Sequence, residues 1–161
     1  MEMLVKTIRW TGLVSLPAML LTIAIPHAPA VANVGSCAIS LIDNGVSQEA
    51  AAAACSDALE PETLSSCVIT IQEGTEIEAE NALQACYRVR RPQELAICVT
   101  DISGNLGEAQ PNTALDNCRR SLLPIHYAEC TLGLQASLEI SSTEAMETCI
   151  SAEYFPSEVA P

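Results

Sequence analysis

The chain has 161 residues, enough for one domain or one repeat array, and its 20 acidic residues against seven basic ones give a formal charge of −13. Such an excess argues against partners that are themselves anionic, nucleic acid and acidic membrane surfaces above all. Eight cysteines with no C-x-x-C pair among them exclude the usual spacings of zinc sites, dithiol redox sites and haem attachment.

The first element is a leader. Lys6 and Arg9 precede an apolar run from Trp10 to Ile25, and Ala30-Val31-Ala32 offers the small-x-small pattern of a signal peptidase site. The run, broken by Pro17, falls short of the roughly 20 apolar residues a membrane span needs. Residues 1–32 are therefore expected to be a cleaved signal peptide, leaving no stable membrane anchor and sending residues 33–161 out as a secreted or periplasmic protein. Val34-Gly35-Ser36-Cys37 loosely resembles a lipobox, but Cys37 lies twelve residues beyond Ile25 and belongs to the register of the later cysteines. Loss of Glu2, Lys6 and Arg9 with the leader leaves 19 acidic residues, five arginines and no lysine, a formal charge of −14. All eight cysteines remain, and an even count in an exported chain reads as four disulfides.

Cys37, Cys55, Cys67, Cys86, Cys98, Cys118, Cys130 and Cys149 alternate long gaps of 18, 19, 20 and 19 with short gaps of 12. A fixed period of about 31 residues marks a repeat, with copies at 37–60, 61–91, 92–123 and 124–155. Around the first cysteine of each copy, Val34, Leu64, Leu95 and Tyr127 stand three residues before it and Leu41, Ile71, Ile102 and Leu134 four after. Those offsets trace one face of a helix. Around the second cysteine, Ala51, Ala82, Ala114 and Ala145 stand four before, and Ala52, Leu83, Leu115 and Met146 three before, which is a second helical stripe.

Each copy thus reads as a helical hairpin. Pro61, Pro92 and Pro124, six residues before a cysteine, suit the first turn of the hairpin's first helix. Gly45, Gly74, Gly104 and Gly107 are expected to break the chain between the two helices. Ser47, Thr75 with Glu78, and Ser141 with Glu144 are expected to cap the second helix. The C-x5-P-x5-C segments are then corners between hairpins. Two pairings remain open: within each hairpin, which uses all eight cysteines locally and is favoured, or across each corner, which leaves Cys37 and Cys149 over.

No catalytic, metal or cofactor residue stands out. His126 is the sole histidine after the leader, in a first helical turn. The segment from Asp101 lacks the glycine and the final acid of a calcium loop, since Leu106 and Asn112 occupy those places. The non-random polar feature is Arg88, Arg90, Arg91, Arg119 and Arg120, all just after the second cysteine of copies two and three. Stacking would gather them into one basic patch, an anchor for an acidic partner or an anionic group. They also suit helix C-termini and pairing with carboxylates such as Glu94.

The runs CVITI (67–71), NALQAC (81–86) and RRPQELAICV (90–99) resemble those of uncharacterised secreted cysteine-repeat proteins of cyanobacteria. The resemblance implies an exported chain, with a thylakoid lumen as a further destination, and no activity.

The expected fold is all-α: four disulfide-stapled hairpins stacked as a small α-solenoid or compact helical array. The expected function is a non-enzymatic interaction or structural module that binds another protein, no nucleic acid and no cofactor. The alternatives are a carrier of a small apolar or anionic ligand, and a thiol–disulfide redox protein using a labile pair such as Cys37 and Cys149.

Overall fold

Proline sets where the long helices begin. The computed structural model describes residues 30–107 and 110–154, and among them are eight helices and no strand. They are α1 (Ala30–Asp43), α2 (Gln48–Asp57), α3 (Pro61–Gly74), α4 (Ala79–Cys86), α5 (Pro92–Asn105), α6 (Pro111–Arg120), α7 (Pro124–Ser137) and α8 (Ser142–Tyr154). Residues 1–29 of the expected leader and the tail with Pro156 lie outside the described residues.

Pro61, Pro92 and Pro124 each occupy the first position of a 14-residue helix. The residue before each proline cannot take the helical conformation, because the ring's Cδ clashes with its backbone. Glu60, Arg91 and Leu123 accordingly share one non-helical geometry, with φ of −130°, −139° and −132° and ψ of 82°, 71° and 75°. The shared proline start of each odd helix accompanies the constant twelve-residue gap.

Helices pair as four antiparallel hairpins, each stapled by its own disulfide: Cys37–Cys55, Cys67–Cys86, Cys98–Cys118 and Cys130–Cys149, with Cα separations of 5.9 to 6.1 Å. The corner pairing is therefore not formed. Cys37 and Cys149 sit in different bridges, so the labile pair between them is corrected, and no cysteine is free. Each corner cysteine lies under two helical turns from the bend and points into its own hairpin.

The odd-numbered helices stack in order, α1 on α3, α3 on α5, α5 on α7, and the even-numbered ones form a lighter second layer. Among the described residues no packed pair joins α1 to α7, so each hairpin of the helical array packs only on its neighbours. Leu41, Ile71 and Ile102 and the four stripe alanines are wholly buried between the layers. Tyr127 fills the place of Leu64 and Leu95 in the last copy, and its hydroxyl donates to the Met146 carbonyl. Burial pushes the Tyr127 hydroxyl's pKa up.

One local expectation is corrected. Thr75 does not cap α4: its hydroxyl donates to the Ile71 carbonyl at 2.6 Å and accepts from Ile77 N, closing α3 instead. The chain stays non-helical to Glu78, and α4 is left with eight residues. Gly74 and Gly104 fall in the last turns of α3 and α5, so the chain breaks just after them, while Gly45, at φ of +93°, and Gly107 lie in the breaks themselves. Ser47 and Ser141 do cap, accepting from Ala50 N and Glu144 N.

Candidate functional site

The three corners and the end of α8 follow one another along a single edge of the array, and the side chains just after each second cysteine decide that edge's chemistry. At the first joint, Asp57 ends α2 and accepts from the Tyr87 hydroxyl at 2.6 Å, from Arg88 Nε at 3.0 Å and from Arg88 Nη2 at 2.7 Å. The Arg88 guanidinium also lies 5.1 Å from the centre of the Tyr87 ring.

A backbone irregularity accompanies this joint. Helix α4 stops at Cys86, whereas α2 and α6 continue two residues past their cysteines. Five residues, 87–91, must then cover what three cover elsewhere, and Arg88 takes up the excess with φ of +58°, a left-handed conformation that side-chained residues rarely adopt. Its bonds to Asp57 hold it there.

The Tyr87 hydroxyl first, and the Arg88 guanidinium second, hold the Asp57 carboxyl below its ordinary value of 3.8. Bonding to that carboxylate raises the Tyr87 hydroxyl in turn. A carboxylate with a depressed folded-state pKa contributes fully above its unfolded value and loses its contribution as pH falls through the folded one. The joint should therefore stay closed down through the ordinary carboxylate range. A carbon-detected NMR titration should find Asp57 titrating below 3.8, and Tyr87→Phe should move it upward. Titration of Asp57 together with the free surface acids would contradict this.

The last joint is tied differently. Glu153 accepts from the Ser121 hydroxyl and from Leu122 N at 2.8 Å, and the Tyr154 hydroxyl donates to the Arg120 carbonyl. Between the α4–α5 and α6–α7 corners no such tie occurs among the described residues. In repeat register that middle joint sets Arg88 against Arg120, where the first joint sets Asp57 against Arg88. Arg91 bonds both Glu94 carboxylate oxygens at 3.0 Å. Arg90, Arg119 and Arg120 are exposed and make no ion pair among the described residues.

Beside these arginines the open end of the second hairpin forms a cleft of about 470 Å³, lined by Leu59, Thr63, Leu64, Tyr87, Arg88 and Arg90 among others. The fourth hairpin repeats it at about 320 Å³ with Leu122, His126, Tyr127 and Glu153 at the matching positions. Leu59 and Leu122 project from their corners, Leu59 wholly in solvent. His126 is an exposed rim residue of the smaller cleft.

Sequence reasoning singled out the arginines and missed Asp57, Tyr87 and the leucines. A signal for Asp57 existed: it stands at the same offset from its cysteine as Arg88, 31 residues on. Among the described residues no three His, Cys, Asp or Glu side chains are grouped to hold a metal ion, and no helix is long and apolar enough to cross a membrane. Four disulfides suit an oxidising, extracytoplasmic compartment. Compared with known proteins, the chain matches no protein family, no curated protein and no solved structure.

Proposed function

We propose that the chain is an exported, non-enzymatic interaction module, secreted or periplasmic, and that the corner edge binds an acidic segment of a partner protein. The observation that carries this is the middle joint. Its neighbours are each tied by a carboxylate of the chain itself, Asp57 or Glu153, whereas here no such tie occurs among the described residues, and Arg120 stands in register with Arg88, which Asp57 already holds. A partner's carboxylate set between Arg90 and the Arg119–Arg120 pair supplies the missing charge, and its apolar neighbours fit the cleft beside Leu59. Arginine suits this role, because its planar fork bonds carboxylates two-fold.

A photo-crosslinking residue in place of Leu59, expressed in the native host, tests the reading. A discrete protein adduct is expected, and Arg90→Glu with Arg119→Glu and Arg120→Glu should reduce it at least tenfold, because reversing exposed charges removes the anchor and leaves the fold intact. An adduct unchanged by the triple variant, or one formed equally from Glu73 on the opposite loop edge, overturns it. The second cleft-based reading, a carrier of a small anionic or apolar ligand, draws on the cleft's volume, which lies within the range of small-molecule sites. Native mass spectrometry of the exported protein should then show a bound small mass that the triple variant loses.

A further inference from the structure

The two ends of the array are halves of an interface that the chain already makes three times. The face each odd helix turns to the preceding copy is marked by the positions two before and two after its cysteine. Thr100 fixes the direction: a Cβ added to Gly74 of α3 would meet the Thr100 methyl of α5 at 2.5 Å. At the first of these positions Ser65, Ala96 and Ala128 are buried, and at the second Ile69, Thr100 and Leu132 are half-buried. In α1, which no described helix precedes, the same two positions are Gly35 and Ile39. Both are exposed, Ile39 at 62%, and Ile42 one turn on is 40% exposed.

The opposite end shows the converse. The cysteine and the residue four after it are sealed in the first three copies, Cys37 with Leu41, Cys67 with Ile71 and Cys98 with Ile102. In α7, which no described odd helix follows, Cys130 and Leu134 are only partly buried. The even layer repeats both observations independently. Three residues before the second cysteine, Leu83, Leu115 and Met146 are buried but Ala52 is exposed. One residue before it, Ala54, Ala85 and Asn117 are buried but Thr148 is exposed.

We propose that these ends dock on each other, α1 of one copy against α7 of a second copy of this chain, so that the layers run on from molecule to molecule. The occupant follows from continuity: each end presents the positions that internal copies bury against a neighbour of the same design. Repeat arrays that stay single usually carry a polar outer face on their terminal copies, whereas this N-terminal end is Gly35, Ile39, Ile42 and Ala52. Two different surfaces meet, so the contact is heterologous and adds copies in line, without the closure of a two-fold dimer. Asp43 beside one end and Glu129 and Glu147 beside the other are exposed, so like charge opposes the contact and salt strengthens it.

Sedimentation velocity of the exported chain over a roughly hundredfold concentration range, at low and high salt, tests this. The mean mass should rise with concentration, more steeply in high salt. Ile39→Glu alone and Leu134→Glu alone should each weaken association at least tenfold. Mixing the two variants should restore association but stop it at the dimer, because the mixture retains one intact N-terminal end and one intact C-terminal end. Ser137→Glu, exposed at the α7 end, replaces Leu134→Glu if circular dichroism shows that variant misfolded. A monomer at every concentration, including one whose Ile39 face is shielded by its own N-terminal residues, overturns the proposal. So does a mixture that stays monomeric, or a single variant that associates like the parent. None of these outcomes depends on the corner arginines, which lie on a different edge.

Discussion

Cys98→Ala combined with Cys118→Ala should lower the free energy of unfolding by about 3 kcal/mol, from the entropy of a closed loop of this length in the unfolded chain. The bridge spans 20 residues and both cysteines are fully buried. Alanine avoids the further cost of leaving two unsatisfied thiols in the core. The loss is large for this chain because its other supports are modest. The helices have 8 to 14 residues, lengths that are marginal in isolation, and the even helices contribute alanine where a larger core would place leucine. The position in the array adds a qualitative effect. In a solenoid each copy is held only by its neighbours, so loosening the third hairpin uncouples the first two copies from the fourth. Urea unfolding followed by helicity should show a lower midpoint and a shallower, divided transition. Removing Cys130 and Cys149 in the same way should melt the last hairpin early and leave the other three joined. A midpoint unchanged by the central double variant would mean that packing alone holds the third hairpin.

The fold was legible in the sequence wherever one physical constraint repeats. Proline at a first helical position, an apolar stripe at helical offsets and an even cysteine set recur with one register, and each copy corroborates the others. Within-hairpin pairing followed because only that scheme gives all eight cysteines local partners. The misreading falls where a residue had two satisfactory partners. Thr75 could cap the helix after it or close the helix before it, and the Ile71 carbonyl, one of the unpaired carbonyls at the end of α3, took its hydroxyl.

The site was legible as a list of arginines and their pairing with Glu94, which Arg91 makes, and no further. Which of them are free depends on one carboxylate a repeat away, Asp57, which engages Arg88, and on one nearby, Glu94, which engages Arg91. Left-handed Arg88 has no sequence signature, since it follows from α4 ending two residues early. The bare end faces could not be read from composition, because Ile39 and Ile69 differ only in what precedes them in space.

Ile102→Ala and Leu134→Ala remove comparable side chains from the same register position, yet they should differ in cost. Ile102 is wholly buried between α5, its hairpin partner α6 and the next copy. Deleting a buried branched side chain removes its transfer free energy and leaves a cavity that a disulfide-stapled neighbourhood cannot collapse, so about 3–4 kcal/mol should be lost. Leu134 is partly buried in the single chain, and its truncation opens toward solvent with no sealed cavity, so a smaller loss of about 1–2 kcal/mol is expected. Measured in dilute solution, the gap between the two reports only on the absence of a fifth copy. Measured at concentrations where copies stack end to end, the Leu134 position becomes as enclosed as that of Ile102, and its cost should climb toward the larger figure while that of Ile102 stays put. Thermal or urea midpoints of both variants at low and high protein concentration provide the check. Equal costs in dilute solution would show that α7 is already covered in the single molecule. A Leu134→Ala cost that is independent of concentration would show that no second copy covers it.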